Sequence, residues 1–386
     1  MKNCINFILA KNEQRNIGLD LLRTFAILVT VYGHAVLLVA PKYKSFHNVF
    51  ISAFDGVSLF FVLSGYLIGG ILVKELYKNN FSIAQFWMRR WLRTLPAYLF
   101  TFFVLILFEL WKQTFQMEYL KYLYFFQNLF SPALFFFSES WSLSIEEWFY
   151  LLFPLAILVA LFFAKKIKIA LAITILLFFF CPIFYSIYQY QNLIGLQDWD
   201  ANYRRIVATR LNSIALGILL VYIQNYLPEI WIKLQKTGLK IALFCVVLSF
   251  ILPKIHFHTM FYNVFLRAHL ECLIAFFLIP YLITIKELPN VFITKCVRLI
   301  SIISYSMYLL NLSFLLRNIL VPFQKSALFI AFGSLGYFLI YIFFWVAILT
   351  LSILMYRYVE FPFLKLRDRI HFKTIFDTSK KQFYYH

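Results

Sequence analysis

The chain has 386 residues, of which 62% are hydrophobic and 14% charged, with a mean hydropathy of +0.78. Ordinary soluble domains run about half apolar and about a quarter charged, so composition argues against a soluble α/β enzyme. The formal net charge of +19 would suit a nucleic-acid binder, but in so apolar a chain it fits Lys and Arg gathered in cytoplasmic loops, and no nucleic-acid partner is expected.

Apolar runs give ten candidate spans, at about 20–39, 51–73, 95–111, 148–164, 169–188, 206–224, 239–253, 268–285, 299–320 and 328–356. A helix needs about 20 residues to cross a bilayer; the seventh run is short, and the last is long enough to tilt. The first 16 residues hold only a short apolar patch before Lys11 and no small-residue cleavage site, so no cleavable signal peptide is expected. The interruption at 112–147 is rich in Trp and Phe and reads as interfacial rather than as a domain. The expected architecture is all-α and polytopic, one transmembrane domain over 1–386 with no appended soluble domain. With a cytoplasmic N-terminus, inward segments carry 24 Lys and Arg and outward segments 9. Both termini are therefore expected in the cytoplasm.

Ionisable groups inside a bilayer are costly and tend to mark function. The first span holds Asp20, Arg23 and His34. Arg23 and His34 are eleven residues apart, which is about three helical turns, so they share one face about 16 Å apart along the axis. A polar face that glues helices together is the plain structural alternative. A histidine, with its near-neutral pKa, suits proton transfer. The second span opens at Asp55, placed to orient an acceptor or a base, and its Gly56, Gly65, Gly69 and Gly70 permit close helix approach. In FWMRRWLRTLPAY, Arg89 and Arg93 fall at i and i+4 on a short helix expected to end before Pro96, with Arg90 beside them. Such a cluster suits lipid head groups or the phosphates of a coenzyme equally well. In SESWSLSIEEWFYLLFP, Glu146 and Glu147 are adjacent and point in different directions, so at most one is expected in a shared site. SYSMYLLN puts Asn311 in the ninth span, and Glu360 precedes Phe361 and Pro362 after the tenth. The five cysteines are scattered without a CxxC pair, and His256 with His258 make only a weak metal signal, so no metal site is expected.

Taken in order, Arg23 with ten residues before His34, DGVSLFFVLSGYLI, RRWLRTLPAY, WSLSIEEWFYLLFP, SYSMYLLN and the Glu360-Phe361-Pro362 end resemble the acyltransferase 3 family of membrane acyltransferases, over about residues 18–368. The resemblance implies ten helices in a bacterial inner membrane and transfer of an acyl group, usually acetyl, from cytoplasmic acyl-CoA. The implied acceptor is a glycan, free or lipid-linked: lipopolysaccharide O-antigen, capsule, exopolysaccharide or peptidoglycan. It implies a required Arg23 and His34, a basic region at Arg89, Arg90 and Arg93, and a Glu-x-Pro motif at Glu360 and Pro362. The expected scheme holds acyl-CoA phosphates at Arg89, Arg90 and Arg93 with Glu360 beside them, and uses His34 as general base or acyl carrier. Glu146 or Glu147 steadies it, and Asp55, Trp141, Ser142 and Asn311 meet the acceptor. No permanently bound cofactor is expected, acetyl-CoA being a co-substrate. Two departures stand out: Asn311 where relatives often carry His, and Asn212 in RLNSIALG where they often carry Asp. Some relatives add a soluble hydrolase-like domain; without one, the chain would act alone or with a separate extracytoplasmic partner. A transporter or lipid-carrier flippase is the competing class, against which stands the lack of an inverted repeat.

Overall fold

The computed structural model describes residues 7–9, 15–40, 55–78, 81–190, 199–255 and 259–369. His256 and His258 lie outside the described residues, as do Lys2, Lys11, Lys42, Lys44, Lys373, Lys380 and Lys381 of the charge count. The described chain is all-helical, and ten of its helices are long and apolar enough to cross a membrane. They are α1 (Ile17–Val39), α2 (Gly56–Tyr77), α3 (Ile83–Trp111), α4 (Ser140–Ala164), α5 (Ile167–Tyr190), α6 (Val207–Tyr226), α7 (Pro228–Ile251), α8 (Tyr262–Leu282), α9 (Val291–Phe323) and α10 (Ala327–Arg369).

The number of spans agrees with the apolar runs, but several ends do not. Helix α3 runs unbroken for 29 residues with Pro96 inside it, whereas the sequence pattern ends a short helix before Pro96. Proline costs one backbone hydrogen bond and is tolerated in membrane helices when neighbours re-satisfy the freed groups. Helix α4 starts eight residues before the expected 148, at Ser140. Helix α7 is a full 24 residues rather than short. Helix α10 bends at Gly333, whose φ of 52° lies in the left-handed region that glycine alone enters cheaply.

Polarity is arranged inside out. Phe103, Leu107, Phe162, Phe163 and Phe343 are exposed on the outer surface, while Asp20, Ser58, Glu139, Arg210, Asn212, Glu271, Asn311 and Glu360 are buried. This is the distribution expected when lipid is the solvent and polar groups must find partners within the bundle. Helices α2 and α6 form a close crossing at Gly65 and Gly217. A Cβ on Gly65 would fall 2.0 Å from the Ile214 carbonyl oxygen, and one on Gly217 2.1 Å from that of Val62. Gly56 makes a similar approach to Ala26, but Gly70 faces open space and does not serve close packing.

Four segments are wound more widely, with i→i+5 bonding: Asp200–Arg204, Tyr262–Arg267, Asn311–Leu320 and Tyr356–Glu360. Wide turns of this kind often occur at functional sites because they re-aim side chains and free carbonyls. Each of the four contributes to, or begins beside, one of the two cavities described next.

Candidate active site

Two cavities run into the bundle. The first, of about 320 Å³, is lined by Arg15, Arg23, Arg90, Arg93 and Arg367, with Glu146 and Glu360 as its carboxylates. Five arginines against two acids give it a surplus of positive charge, and guanidinium forks suit phosphate oxygens. The second, of about 1160 Å³, is lined by His34, Asp55, Glu139, Trp141, Trp199, Asp200, Arg204, Arg205, Arg267 and Glu271, with further apolar residues. Helix α1 serves both: Arg23 faces the arginine chamber, and His34, three turns on, faces the histidine chamber.

The arginine chamber is ordered by buried Asp20. Its Oδ1 accepts from Arg15 Nη2 at 2.6 Å and from Ser301 Oγ at 2.6 Å, and lies 3.7 Å from Arg23 Nη1. One carboxylate thus holds two guanidiniums at the chamber wall. On the other side, Arg90 stacks on Tyr150 with 4.1 Å to the ring centroid, donates to its hydroxyl at 2.5 Å, and faces Glu146 at 4.0 Å. Arg93 lines the chamber and is exposed within it. Among the described residues it has no ion pair, which leaves it available to an anionic ligand. Arg89 is exposed and does not line the chamber. The pair facing the cavity is therefore Arg90 and Arg93, at i and i+3, not Arg89 and Arg93. Glu360 sits in the wide-turn end of α10, where it accepts a hydrogen bond from Ser306 Oγ.

In the histidine chamber, His34 Nδ1 pairs with the side-chain oxygen of Asn311. The other end of that amide is fixed: Asn311 Nδ2 donates to the carbonyls of Met307 at 2.9 Å and Tyr308 at 2.7 Å. Asn311 therefore presents an acceptor to the ring, so Nδ1 carries the proton and Nε2 carries the lone pair. From the sequence, Asn311 is expected to meet the acceptor; the structure makes it the partner of the histidine. The Asn311–Leu320 wide turn begins at this residue, and its side chain caps carbonyls of the last ordinary turn.

The sequence puts Glu146 or Glu147 beside His34, and neither is there. Glu146 lies in the arginine chamber, and Glu147 is buried and accepts from Thr94 Oγ1 at 2.8 Å. Both carboxylates project from turns of α4 that face α3, whose arginines draw them in. The acids that line the histidine chamber are Asp55, Glu139, Asp200 and Glu271. Asp55 caps α2 through the Val57 amide at 3.0 Å and pairs with Arg204 at 3.1 Å. Arg204 also pairs with Asp200 at 2.6 Å and stacks on Trp141, 4.9 Å from the ring centroid. Burial opposes ionisation of Asp200, but Arg204 and Arg205 outweigh it and hold its carboxyl below the ordinary value of 3.8. Buried Glu139 accepts from the Ser313 amide at 3.1 Å and from the Ser313 hydroxyl. Ser142 lies on the arginine chamber rather than the histidine chamber, with Oγ 2.7 Å from the Tyr308 hydroxyl. Asn212 contacts His269 Nε2 at 3.0 Å, outside the lining of either chamber.

Arg15, Asp20, Glu139, Arg204, Glu271, Tyr308 and Arg367 thus join the candidate set. Some left a trace in the sequence: Asp20 is a charge within an apolar run, and Glu139 directly precedes one. Arg15 and Arg367 left none, since each reads as one more cytoplasmic loop cation.

A family model described as an acyltransferase domain (Acyl_transf_3) matches residues 16–357. The O-acetyltransferase OatA of Staphylococcus aureus is 34% identical over 160 residues, 36% of this chain and 24% of that protein. The peptidoglycan O-acetyltransferase OatA of Listeria monocytogenes is 37% identical over 142 residues, 32% of this chain and 22% of that protein. An uncharacterized protein of Haemophilus influenzae is 32% identical over 143 residues, 32% of this chain and 57% of that protein. The chain thus matches about a quarter of the length of the OatA relatives. No solved structure matches.

Proposed function

The chain belongs to the Acyl_transf_3 acyltransferase family, and from that premise we propose that it moves an acetyl group from cytoplasmic acetyl-CoA to a hydroxyl of an extracytoplasmic glycan. The observation that carries this reading is the placement of His34 and the arginine cluster in separate chambers at two levels of one helix. Arg15, Arg23, Arg93 and Arg367 take the phosphates of the donor, with Arg90 held beside them by Glu146 and Tyr150. The pantetheine arm extends past Arg23 toward the histidine chamber. There His34 Nε2 removes the proton from the acceptor hydroxyl, and that oxygen attacks the thioester carbonyl. The carbon–sulfur bond breaks, and the imidazolium returns its proton to the departing thiolate, leaving an ester and free CoA. Asn311 keeps the ring in the tautomer that this requires.

Positive-inside charge supports a cytoplasmic arginine chamber and an outward histidine chamber, in a bacterial plasma membrane. The peptidoglycan O-acetyltransferase relative supports a glycan acceptor. Peptidoglycan, lipopolysaccharide O-antigen, capsule and exopolysaccharide all present suitable hydroxyls. Transfer is completed by this chain alone or by handing the group to a separate extracytoplasmic acyltransferase. The test is transfer of radiolabelled acetyl from acetyl-CoA in membranes that contain the chain, beside His34→Ala at matched expression. Label entering alkali-labile glycan esters only with intact His34 is the expected outcome. If labelled ester is equal in both membranes, the histidine assignment fails; if label moves in neither, acetyl transfer itself fails.

A further inference from the structure

The two chambers share a wall. Val57 and Tyr308 line both, and both are buried. Tyr308 is held across this boundary from the start of α4: its hydroxyl donates to the Glu139 carbonyl at 2.7 Å and lies 2.7 Å from Ser142 Oγ. Since the phenol proton is committed to the carbonyl, Ser142 is the donor in the second bond. Tyr308 also sits one turn before Asn311, and its own carbonyl accepts from the Asn311 amide. The boundary and the orientation of His34 are therefore built from the same turn of α9.

We propose that Tyr308 is a latch on the passage between the chambers, with Val57 as the opposing jamb, and that it couples thioester cleavage to the presence of an acceptor. The inference rests on the donor and acceptor reading above. A donor anchored by its phosphates at the arginines meets these two side chains where the chambers adjoin. While the latch is closed, the thioester is kept from the histidine chamber and from its water. When it opens without an acceptor, water replaces the sugar hydroxyl. Its oxygen attacks the thioester carbonyl, the carbon–sulfur bond breaks, and acetate and CoA are released. Tyr308 acts here as a positioning residue, through what it admits and not through contact with the reacting atoms.

The test counts CoA released per ester formed, with purified protein, acetyl-CoA and a soluble glycan oligomer, and CoA released with no oligomer at all. Tyr308→Phe keeps the ring and loses both hydroxyl bonds. One ordinary hydrogen bond corresponds to about a fivefold change in population, so acceptor-independent CoA release is expected to rise at least about fivefold over the intact protein. Ser142→Ala removes one bond and little volume, and is expected to shift the ratio the same way by a smaller factor. It decides the question if Tyr308→Phe does not accumulate. Val57→Phe narrows the passage. It is expected to abolish both transfer and hydrolysis while free CoA still raises the melting temperature, which shows donor binding intact. Unchanged CoA-to-ester ratios in Tyr308→Phe and Ser142→Ala overturn the latch, even where the intact protein transfers acetyl normally. An intact protein that transfers no acetyl from acetyl-CoA overturns the underlying reading, and the latch with it.

Discussion

A histidine is a base only through the nitrogen its neighbours leave with a lone pair, and at His34 that choice belongs to Asn311. The Asn311 amide is fixed by two backbone carbonyls, so it turns its oxygen to the ring. Asn311→Leu is expected to lower kcat about tenfold, from loss of one hydrogen bond to a reacting group, with the KM for the donor unchanged. Steady-state kinetics decide this; a change confined to donor KM contradicts it. A second residue-scale expectation concerns Asp200, whose ion pairs with Arg204 and Arg205 depress its folded-state pKa. A depressed pKa means stability that is complete above the unfolded value of 3.8 and lost as pH falls below it. Asp200→Asn should therefore melt lower than the intact protein at neutral pH, and the gap should narrow progressively as pH falls below 3.8. A gap that persists in acid would remove the ion pairs as its cause. The sequence exposes His34 and Arg23 because an ionisable group within an apolar run is visible without a fold. It hides the Asn311–His34 pair, since an asparagine 277 residues away carries no local mark of its partner.

Hydropathy finds the apolar middle of each span and loses the polar turns at its ends. Hydropathy places α5 and α6 within a few residues, yet it cuts eight residues from the start of α4 and twelve from that of α3. Those turns carry Ser140, Ser142, Arg90 and Arg93, polar because they face a cavity or the buried interior and not because they leave the bundle. The same blindness puts Glu360 beyond the tenth span, though it lies in a wide turn within α10. Glycine patterning is a truer guide for Gly56 and Gly65 than for Gly70, because spacing cannot tell a contact from a lipid-facing gap. The α2–α6 crossing is rigid at Gly65, where any Cβ meets backbone at 2.0 Å. Overpacking of this sort costs about 1–3 kcal/mol, so Gly65→Ala should lower the melting temperature in detergent. Gly70→Ala, which meets nothing within 4 Å, should leave it unchanged. Equal melting of the two variants would contradict the crossing.

Across the whole molecule, charge and chemistry are separated along α1. Arg23 opens on a chamber whose five arginines outnumber its two acids, while His34 opens on one where three arginines face four acids, and Val57 and Tyr308 line both. Arg93 is the arginine least committed to the protein, so Arg93→Gln should raise the KM for acetyl-CoA about tenfold or more, with kcat little changed. A charge-assisted hydrogen bond to phosphate is worth about 1.5–3 kcal/mol. A fall in kcat at unchanged KM would remove Arg93 from donor binding. The separation also sets the most direct test, which is sidedness in sealed vesicles whose protein is oriented with the arginine chamber outward. Labelled acetyl-CoA is added outside, with a glycan oligomer trapped inside. Labelled ester inside the vesicles, abolished by His34→Ala, is the expected result. Ester formed only when donor and oligomer share one side, or formed equally without His34, would contradict it.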